Sequence, residues 1–380
     1  MRLTYPLLWS RLGRQADREQ AVATAAALAR HGVRITLLMP RGAGDPALSA
    51  DALREWFAVQ GDFALVQRPT RWVGENVVPS ALWLRRAMAD PEVARSDLLY
   101  TRIPAAFTMG GGSPVPFAVE HYRPWPDRLP MIRPLIRRTA RKRHCLGFIL
   151  HSQFAASSYR RAGVAADSLL VAHNGVTLDR SRARLGKQDA RAALGLASDR
   201  VIVLYAGRIN ARKGLDQLLL AADRRPDMLF LLVGSEGEGA IEAAAAERPN
   251  VEVHPWQAPV RLPLFLSAAD ILVIPPSRAP LDRHGDCVLP MKTFAYLAAG
   301  RPILAPDSPD TAELLRHGEN AFLVTPDDPD AAAQALGRLA SDPVLAARLG
   351  ANAARLAQSF GWDDRAARIA AFLERRLSRL

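Results

Sequence analysis

Short runs of apolar residues recur along this chain, and between them lie longer stretches in which apolar positions return every three or four residues. Short runs suit buried strands, the longer stretches suit amphipathic helices, and their alternation predicts parallel sheets covered by helices. In the first half the predicted strands are 3–8, 33–39, 97–100, 117–119, 146–150 and 169–172. The stretch 17–31 is Ala-rich with charged flanks and stops at Gly32, as a helix does. In the second half the strands are 201–205, 228–233, 251–253, 271–274, 302–305 and 321–324. Helices at 213–225, 239–248, 260–268, 290–299 and 310–317 fill the gaps. Two more, split near Asp342 and Pro343, run to residue 358, and 362–380 forms the last. Residues 178–196 are charged and Ala-rich with no strand-like run, so they separate two patterns of similar design. The expected organisation is a domain at 1–180, a second at 181–360 and a terminal helix at 361–380.

Composition narrows the class. With 380 residues, 49% hydrophobic and 23% charged, the chain has enough apolar residues for the cores of two or three domains, which excludes collagen-like, disulfide-scaffold and disordered classes. Two cysteines, Cys145 and Cys287, cannot build a disulfide framework or a multi-cysteine metal site, and a reducing cytoplasm is the expected setting. The opening segment has no signal-peptide pattern, and no apolar run approaches the ~18 residues of a membrane span.

Charge changes the picture more. The net charge is +12 and the isoelectric point about 10.5. Residues 1–180 hold 25 Lys/Arg against 14 Asp/Glu, so nearly all the surplus belongs to the first half. Between Arg123 and His144 there are eight Arg/Lys and one acid, Asp127, interleaved with Trp125, Leu129, Met131, Ile132, Leu135 and Ile136. A basic amphipathic stretch can lie in an anionic membrane interface, and a solvated Arg-rich helix has the same pattern. Aromatics at 7% and the lack of any nucleic-acid module signature argue against nucleic acid as the partner.

In parallel sheets covered by helices, ligands sit beyond the carboxyl ends of the strands. There the second half places Gly207-Arg208, Gly234-Ser235-Glu236-Gly237 and Pro275-Pro276-Ser277, and the first half places Arg102, Glu120-His121, Ser152 and Asn174-Gly175. Arg208 and Lys213 flank a strand-to-helix turn with a glycine on each side, Gly207 and Gly214, a setting that lets backbone approach an anion. The chain has four lysines, at 142, 187, 213 and 292, against 46 arginines, so a lysine at 213 stands out. Two cations there can hold a diphosphate and stabilise the charge that grows on it as it leaves; a solvated surface pair would look the same.

Gly207-Arg208 with Lys213-Gly214, Leu232-Val233-Gly234, Ala269-Asp270 with its apolar run to Pro275, Leu297-Ala298-Ala299-Gly300-Arg301-Pro302, and Gly318-Glu319-Asn320-Ala321 together resemble the donor half of a GT-B-fold glycosyltransferase of family 4. His151-Ser152-Gln153-Phe154, His173-Asn174-Gly175-Val176 and the strand 116–121 ending in His121 resemble the acceptor half of that family. The resemblance implies two Rossmann-like domains with parallel sheets facing a deep cleft, and a C-terminal helix that crosses back to the first domain. It implies sugar transfer from a nucleotide-sugar to a glycan, lipid-linked or small-molecule acceptor, with retention at the anomeric carbon, no metal and no cofactor beyond the donor itself. The expected setting is the cytoplasm, either free or peripheral on the inner face of a membrane.

Carried over residue by residue, Gly207, Arg208, Lys213, Gly234 and Lys292 fall to donor binding, and His121 to the transferred sugar or acceptor. The chain departs from the family at two glutamates, where it reads Cys287 and Ala295. Alanine cannot accept the paired hydroxyl hydrogen bonds that a carboxylate takes, and Asp286 is the nearest substitute. Loss of both glutamates also suits a protein that keeps this fold to bind a glycan or a partner without catalysis. Elsewhere, Asp328-Pro329-Asp330 is expected to cap a helix, His284-Gly285-Asp286-Cys287 has no zinc spacing, and Gly110-Gly111-Gly112 is expected to be a loop.

Overall fold

The computed structural model describes residues 1–72, 76–109, 112–178, 185–196, 199–284, 289–309 and 311–380. The chain divides into two units, Met1–Gly175 with Trp362–Leu380, and Val176–Gly361.

Unit 1 holds seven strands, β1 (Arg2–Pro6), β2 (Arg34–Arg41), β3 (Ala64–Pro69), β4 (Leu98–Thr101), β5 (Phe117–His121), β6 (Cys145–Leu150) and β7 (Leu169–Val171). Their order is β3-β2-β1-β4-β5-β6-β7, every neighbouring pair parallel. The central strands β4, β5 and β6 are buried along their whole length, which explains why they read as continuous apolar runs rather than alternations. The strand β3 is the one the apolar pattern does not predict. It pairs on one side only, its residues are half-buried, and Gln67-Arg68-Pro69 interrupts its apolar run, as suits an edge strand.

Helix Trp362–Leu377 completes this unit. Asp363 and Asp364 in its first turn and Arg375 and Arg376 in its last match the helix dipole. Its apolar face, Ala366, Ile369, Ala370, Phe372 and Leu373, is buried in one core with Leu3, Tyr5 and Ala21, Ala25 and Leu28 of helix Ala16–Arg30. Each such Phe or Leu contributes about 1.5–3 kcal/mol on burial.

Unit 2 holds β8 (Val201–Ala206), β9 (Met228–Ser235), β10 (Val251–Pro255), β11 (Ile271–Val273), β12 (Ile303–Pro306) and β13 (Phe322–Val324), in the order β10-β9-β8-β11-β12-β13, again all parallel. In each sheet the strand order reverses beside a central strand, between β1 and β4 in unit 1 and between β8 and β11 in unit 2, the place where such sheets take their ligands.

Asp270, just before β11, bonds Lys187 at 2.7 Å, Arg191 and the Ile202 amide at 2.8 Å, and so ties helix Lys187–Leu194 to the sheet. Asp328 accepts from the Ala331 amide at 2.9 Å and caps helix Pro329–Ser341, as expected. The expected helix at 310–317 does not form over the described residues: Thr311–314 is a turn. The Thr311 hydroxyl bonds the Pro306 and Ser308 carbonyls, offering the backbone a local alternative to a helix.

Candidate functional site

At the carboxyl end of β8 the chain turns through Gly207, whose φ of 143° lies where glycine is favoured. Beside it, at the end of β9, Gly234 has φ 128°, and a Cβ there would come within 2.3 Å of the Gly207 carbonyl oxygen. Only glycine lets the two strand ends close this tightly.

Arg208 follows, exposed, with its Nε 3.4 Å from the Glu236 carboxylate on the neighbouring turn. Asn210 accepts the Arg212 amide at 3.1 Å and shapes the single 3-10 turn Ala211–Lys213. That turn sets Lys213 in a partly covered position. Burial, and then the Arg208 guanidinium, lower the Lys213 amine from its ordinary range. Lys292 opens helix Lys292–Ala299 and lays its Nζ 3.5 Å from the centre of the Tyr205 ring, against the Cα of Gly207. Burial, and then Lys213, hold its amine well below the usual lysine range.

The structure therefore brings Gly207, Arg208, Lys213, Gly234 and Lys292 into one place. Among the described residues the one carboxylate paired to this group is Glu236. Three side chains of one sign on a glycine-lined turn have the chemistry to hold an anion with more than one charge. Ala295 packs partly buried against the core of unit 2, with Phe294, Tyr296 and Leu297 around it. Asp286, Cys287 and the pair Gly110-Gly111 lie outside the described residues, so the structure places no carboxylate from residue 286.

In unit 1, His121 ends β5 and is almost fully buried. Its Nδ1 accepts the backbone amides of Tyr122 and Arg123, both at 3.1 Å. A nitrogen that accepts carries no hydrogen, so the hydrogen sits on Nε2. The ring stacks on Tyr122 at 5.0 Å and meets Trp125 edge-on at 5.2 Å. Burial, reinforced by Arg102, holds it well below the usual histidine range, so it is neutral and a hydrogen-bond donor through Nε2.

Glu120, next to it and fully buried, centres a network that sequence reasoning did not single out. It accepts from His151 Nε2 at 2.8 Å, Gln20 Nε2 at 2.7 Å, the Tyr5 hydroxyl at 3.3 Å and Arg365, with Arg102 Nε 4.0 Å away. Burial alone would raise this carboxyl; Arg365, then His151 and Arg102, hold it well below the usual carboxylate range. Burial takes His151 the other way, to about 4 despite its bond to Glu120. Arg365 also donates to the Thr24 hydroxyl at 3.0 Å and the His173 carbonyl at 2.9 Å, fastening the C-terminal helix to the carboxyl ends of this sheet. The sequence signal was an acid inside an otherwise apolar strand, Phe117-Ala118-Val119-Glu120.

The basic segment consists of short helices Trp125–Arg128 and Arg133–Ala140 around the 3-10 turn Pro130–Ile132. Ile136 and Thr139 face inward, while Arg137, Arg138, Arg141 and Arg143 are exposed and Met131 is 84% exposed. Among the described residues no helix is long and apolar enough to cross a membrane, and no cluster of three or more His, Cys, Asp or Glu is placed to hold a metal.

Comparison with known proteins agrees with this architecture. The family model "Glycosyl transferases group 1" matches residues 186–356, and "Glycosyltransferase Family 4" matches 19–180. The D-inositol 3-phosphate glycosyltransferases of Streptomyces scabiei and Streptomyces avermitilis are similar to this chain. They are 37% identical over 218 residues (53% of this chain, 47% of that protein) and 36% over 213 (52% and 44%). The chain thus spans about half the length of these curated relatives. Among solved structures, sucrose-phosphate synthase from Thermosynechococcus elongatus superposes with TM-score 0.77 at 18% identity, covering all of both chains. HepE of Anabaena in complex with UDP superposes with TM-score 0.74 at 18% identity, covering 99% of this chain and 100% of that one. At such identities the superpositions speak to the fold, two parallel sheets with covering helices. With the two family models spanning both halves, the chain belongs to the family 4, group 1 type of glycosyltransferases, enzymes of the GT-B fold.

Proposed function

We propose that this protein transfers a sugar from a nucleotide-sugar to a polar acceptor, with retention at the anomeric carbon and without a metal ion. Unit 2 takes the donor. The observation that carries this is the cluster of Arg208, Lys213 and Lys292 on the Gly207 turn, where among the described residues Glu236 is the one paired acid and the strand order reverses. As the sugar–phosphate bond breaks, charge collects on the leaving diphosphate, and fixed cations there stabilise the transition state more than the ground state.

Unit 1 takes the acceptor. His121, neutral with its hydrogen on Nε2, donates a hydrogen bond to a sugar or acceptor hydroxyl rather than serving as a base. Asp286 supplies the carboxylate for sugar hydroxyls in place of the residues that here read Cys287 and Ala295.

UDP-sugars are the first donors to try, since HepE has been crystallised with UDP and with UDP-glucose. The curated relatives' names point to a phosphorylated polyol such as D-inositol 3-phosphate as the acceptor class. The exposed arginines 137, 138, 141 and 143 suit an anionic acceptor, or the cytoplasmic face of an anionic membrane that carries one.

Calorimetry with UDP-, GDP- and ADP-sugars tests the donor half. One class should bind, and Arg208→Ala and Lys213→Ala should each weaken it roughly 10- to 100-fold, the worth of one lost charged hydrogen bond. No binding by any donor, or unchanged binding in both variants, removes the enzymatic function and leaves a glycan- or partner-binding protein, the role that the alanine at 295 favours. Transfer with a bound donor should continue in EDTA.

A further inference from the structure

We infer that Asp327 is a positioning residue for the anion site: its carboxylate braces the loop after β11 against the turn that presents Lys213. This rests on the donor-site function proposed above and deepens it, because it gives a part in anion binding to a residue outside the cation cluster.

The backbone gives the first sign. Asp327 follows β13 and stands at φ 60°, in the left-handed region that favours glycine. Among the described residues Ala58 is the other non-glycine residue at positive φ, and it caps the end of a helix, where that conformation is common. Asp327 ends no helix. A strained backbone persists where its surroundings hold it, and such places gather at functional sites.

Here the surroundings are the loop after β11. The Asp327 amide donates to the Pro276 carbonyl at 2.8 Å. Its carboxylate accepts the Ser277 hydroxyl at 2.7 Å and the Arg278 amide at 3.2 Å. The Ser277 hydroxyl in turn accepts the Ala279 amide at 3.1 Å, so it serves as donor and acceptor at once. Amide and carboxylate of one residue thus grip three consecutive residues of the loop, although β12 lies between β11 and β13 in the sheet.

That loop rests on the anion turn. Gly214, at φ 68°, closes the 3-10 turn Ala211–Lys213, and a Cβ there would come within 2.2 Å of the Ser277 Cβ. Helix Ala279–His284 packs along the same turn. Within the turn the Lys213 amide donates to the Asn210 carbonyl at 3.1 Å. The brace therefore runs from the end of β13, through the loop after β11, to the turn after β8, along the carboxyl edge of the sheet. Ordering a loop and a long side chain on binding costs conformational entropy. A backbone already fixed at Lys213 and Gly214 lowers that cost, and this is what the brace contributes to affinity.

Variants of the full chain test this, with inorganic pyrophosphate, UDP and UDP-glucose as probes. Asp327→Gly relieves the strain and removes the carboxylate. It should keep the melting temperature of wild type, speed hydrogen exchange in the peptide around Lys213 and Gly214, and weaken binding roughly tenfold, the worth of about one hydrogen bond. Asp327→Asn removes the charge but keeps an oxygen acceptor in a residue that tolerates this φ, so it should bind as wild type does. Ser277→Ala should reproduce most of the loss and add little to Asp327→Gly. Unchanged exchange around Lys213 in Asp327→Gly overturns the brace, and the donor site still stands if Lys213→Ala weakens binding. Faster exchange with unchanged affinity overturns the role in anion binding, and so does an Asp327→Asn variant as weak as Asp327→Gly. Wild type that binds none of the probes, or binds them regardless of Lys213→Ala, overturns the donor site and the inference with it.

Discussion

Replacing Arg365 by methionine tests whether the C-terminal helix is held by charge as well as by apolar packing. The Arg365 and Glu120 side chains are 3% and 0% exposed, so solvent screens neither. The substitution keeps most of the side-chain volume but removes the bonds to Glu120, Thr24 and the His173 carbonyl. Breaking one partner of a buried pair costs about 3–5 kcal/mol, because the remaining charge stays desolvated. Arg102 at 4.0 Å, His151 and Gln20 still face Glu120, which puts the expected loss near 3 kcal/mol.

Six of the seven tryptophans (Trp9, Trp56, Trp72, Trp83, Trp125 and Trp362) belong to unit 1, so urea unfolding followed by tryptophan fluorescence reports mainly on this unit. Adding Glu120→Gln to Arg365→Met removes the stranded charge and should recover part of the loss. The pH dependence has a definite sign. The folded-state carboxyl of Glu120 lies below its unfolded value of about 4.3, so its contribution is present above that pH and disappears as pH falls through the folded value. Without Arg365 the carboxyl moves upward, so the gap between wild type and variant should narrow as pH falls from 7.5. A double variant no more stable than Arg365→Met, or a gap that stays constant down to pH 4, refutes the charge argument.

His151 makes a pH contribution of the same sign at higher pH, because its folded value is also depressed. Its folded value of about 4 lies below the unfolded 6.5, so unit 1 should lose on the order of 3 kcal/mol as pH falls from 6.5 to 4. His151→Asn should flatten that slope in the same urea titration, and an equal slope rejects this origin. Gly234→Ala forces a Cβ to within 2.3 Å of a backbone oxygen at φ 128°, which should cost about 1–3 kcal/mol and weaken UDP-glucose binding; unchanged melting and binding would show that the turn yields freely. Glutamine at positions 137, 138, 141 and 143 removes about 1 kcal/mol of attraction per arginine to an anionic bilayer, roughly a thousandfold in partitioning altogether. Liposome flotation measures it directly, and equal flotation of variant and wild type rejects the membrane-facing surface.

Much of this protein is determined by its sequence alone, because the signals are local. Buried parallel strands need continuous apolar runs, and such runs mark β4, β5, β6, β8 and β9. Glycines just after predicted strands mark the turns at Gly207 and Gly234, a lysine in an arginine-rich chain marks 213, and the family resemblance marks 292. What the sequence does not determine depends on partners far along the chain. The edge strand β3 has one neighbour and therefore only half an apolar signal. The turn at Thr311 forms because one hydroxyl competes for carbonyls that a helix would need to leave alone. Glu120 meets Arg365 across 245 positions, and no local pattern encodes that pairing. Lys292 lies against Gly207 and the Tyr205 ring, 85 or more positions away in the chain, a meeting that only the packed sheet brings about. Local chemistry thus selects the groups, while the packing of the sheets decides which charges share a low-dielectric site and in which protonation state they stand there.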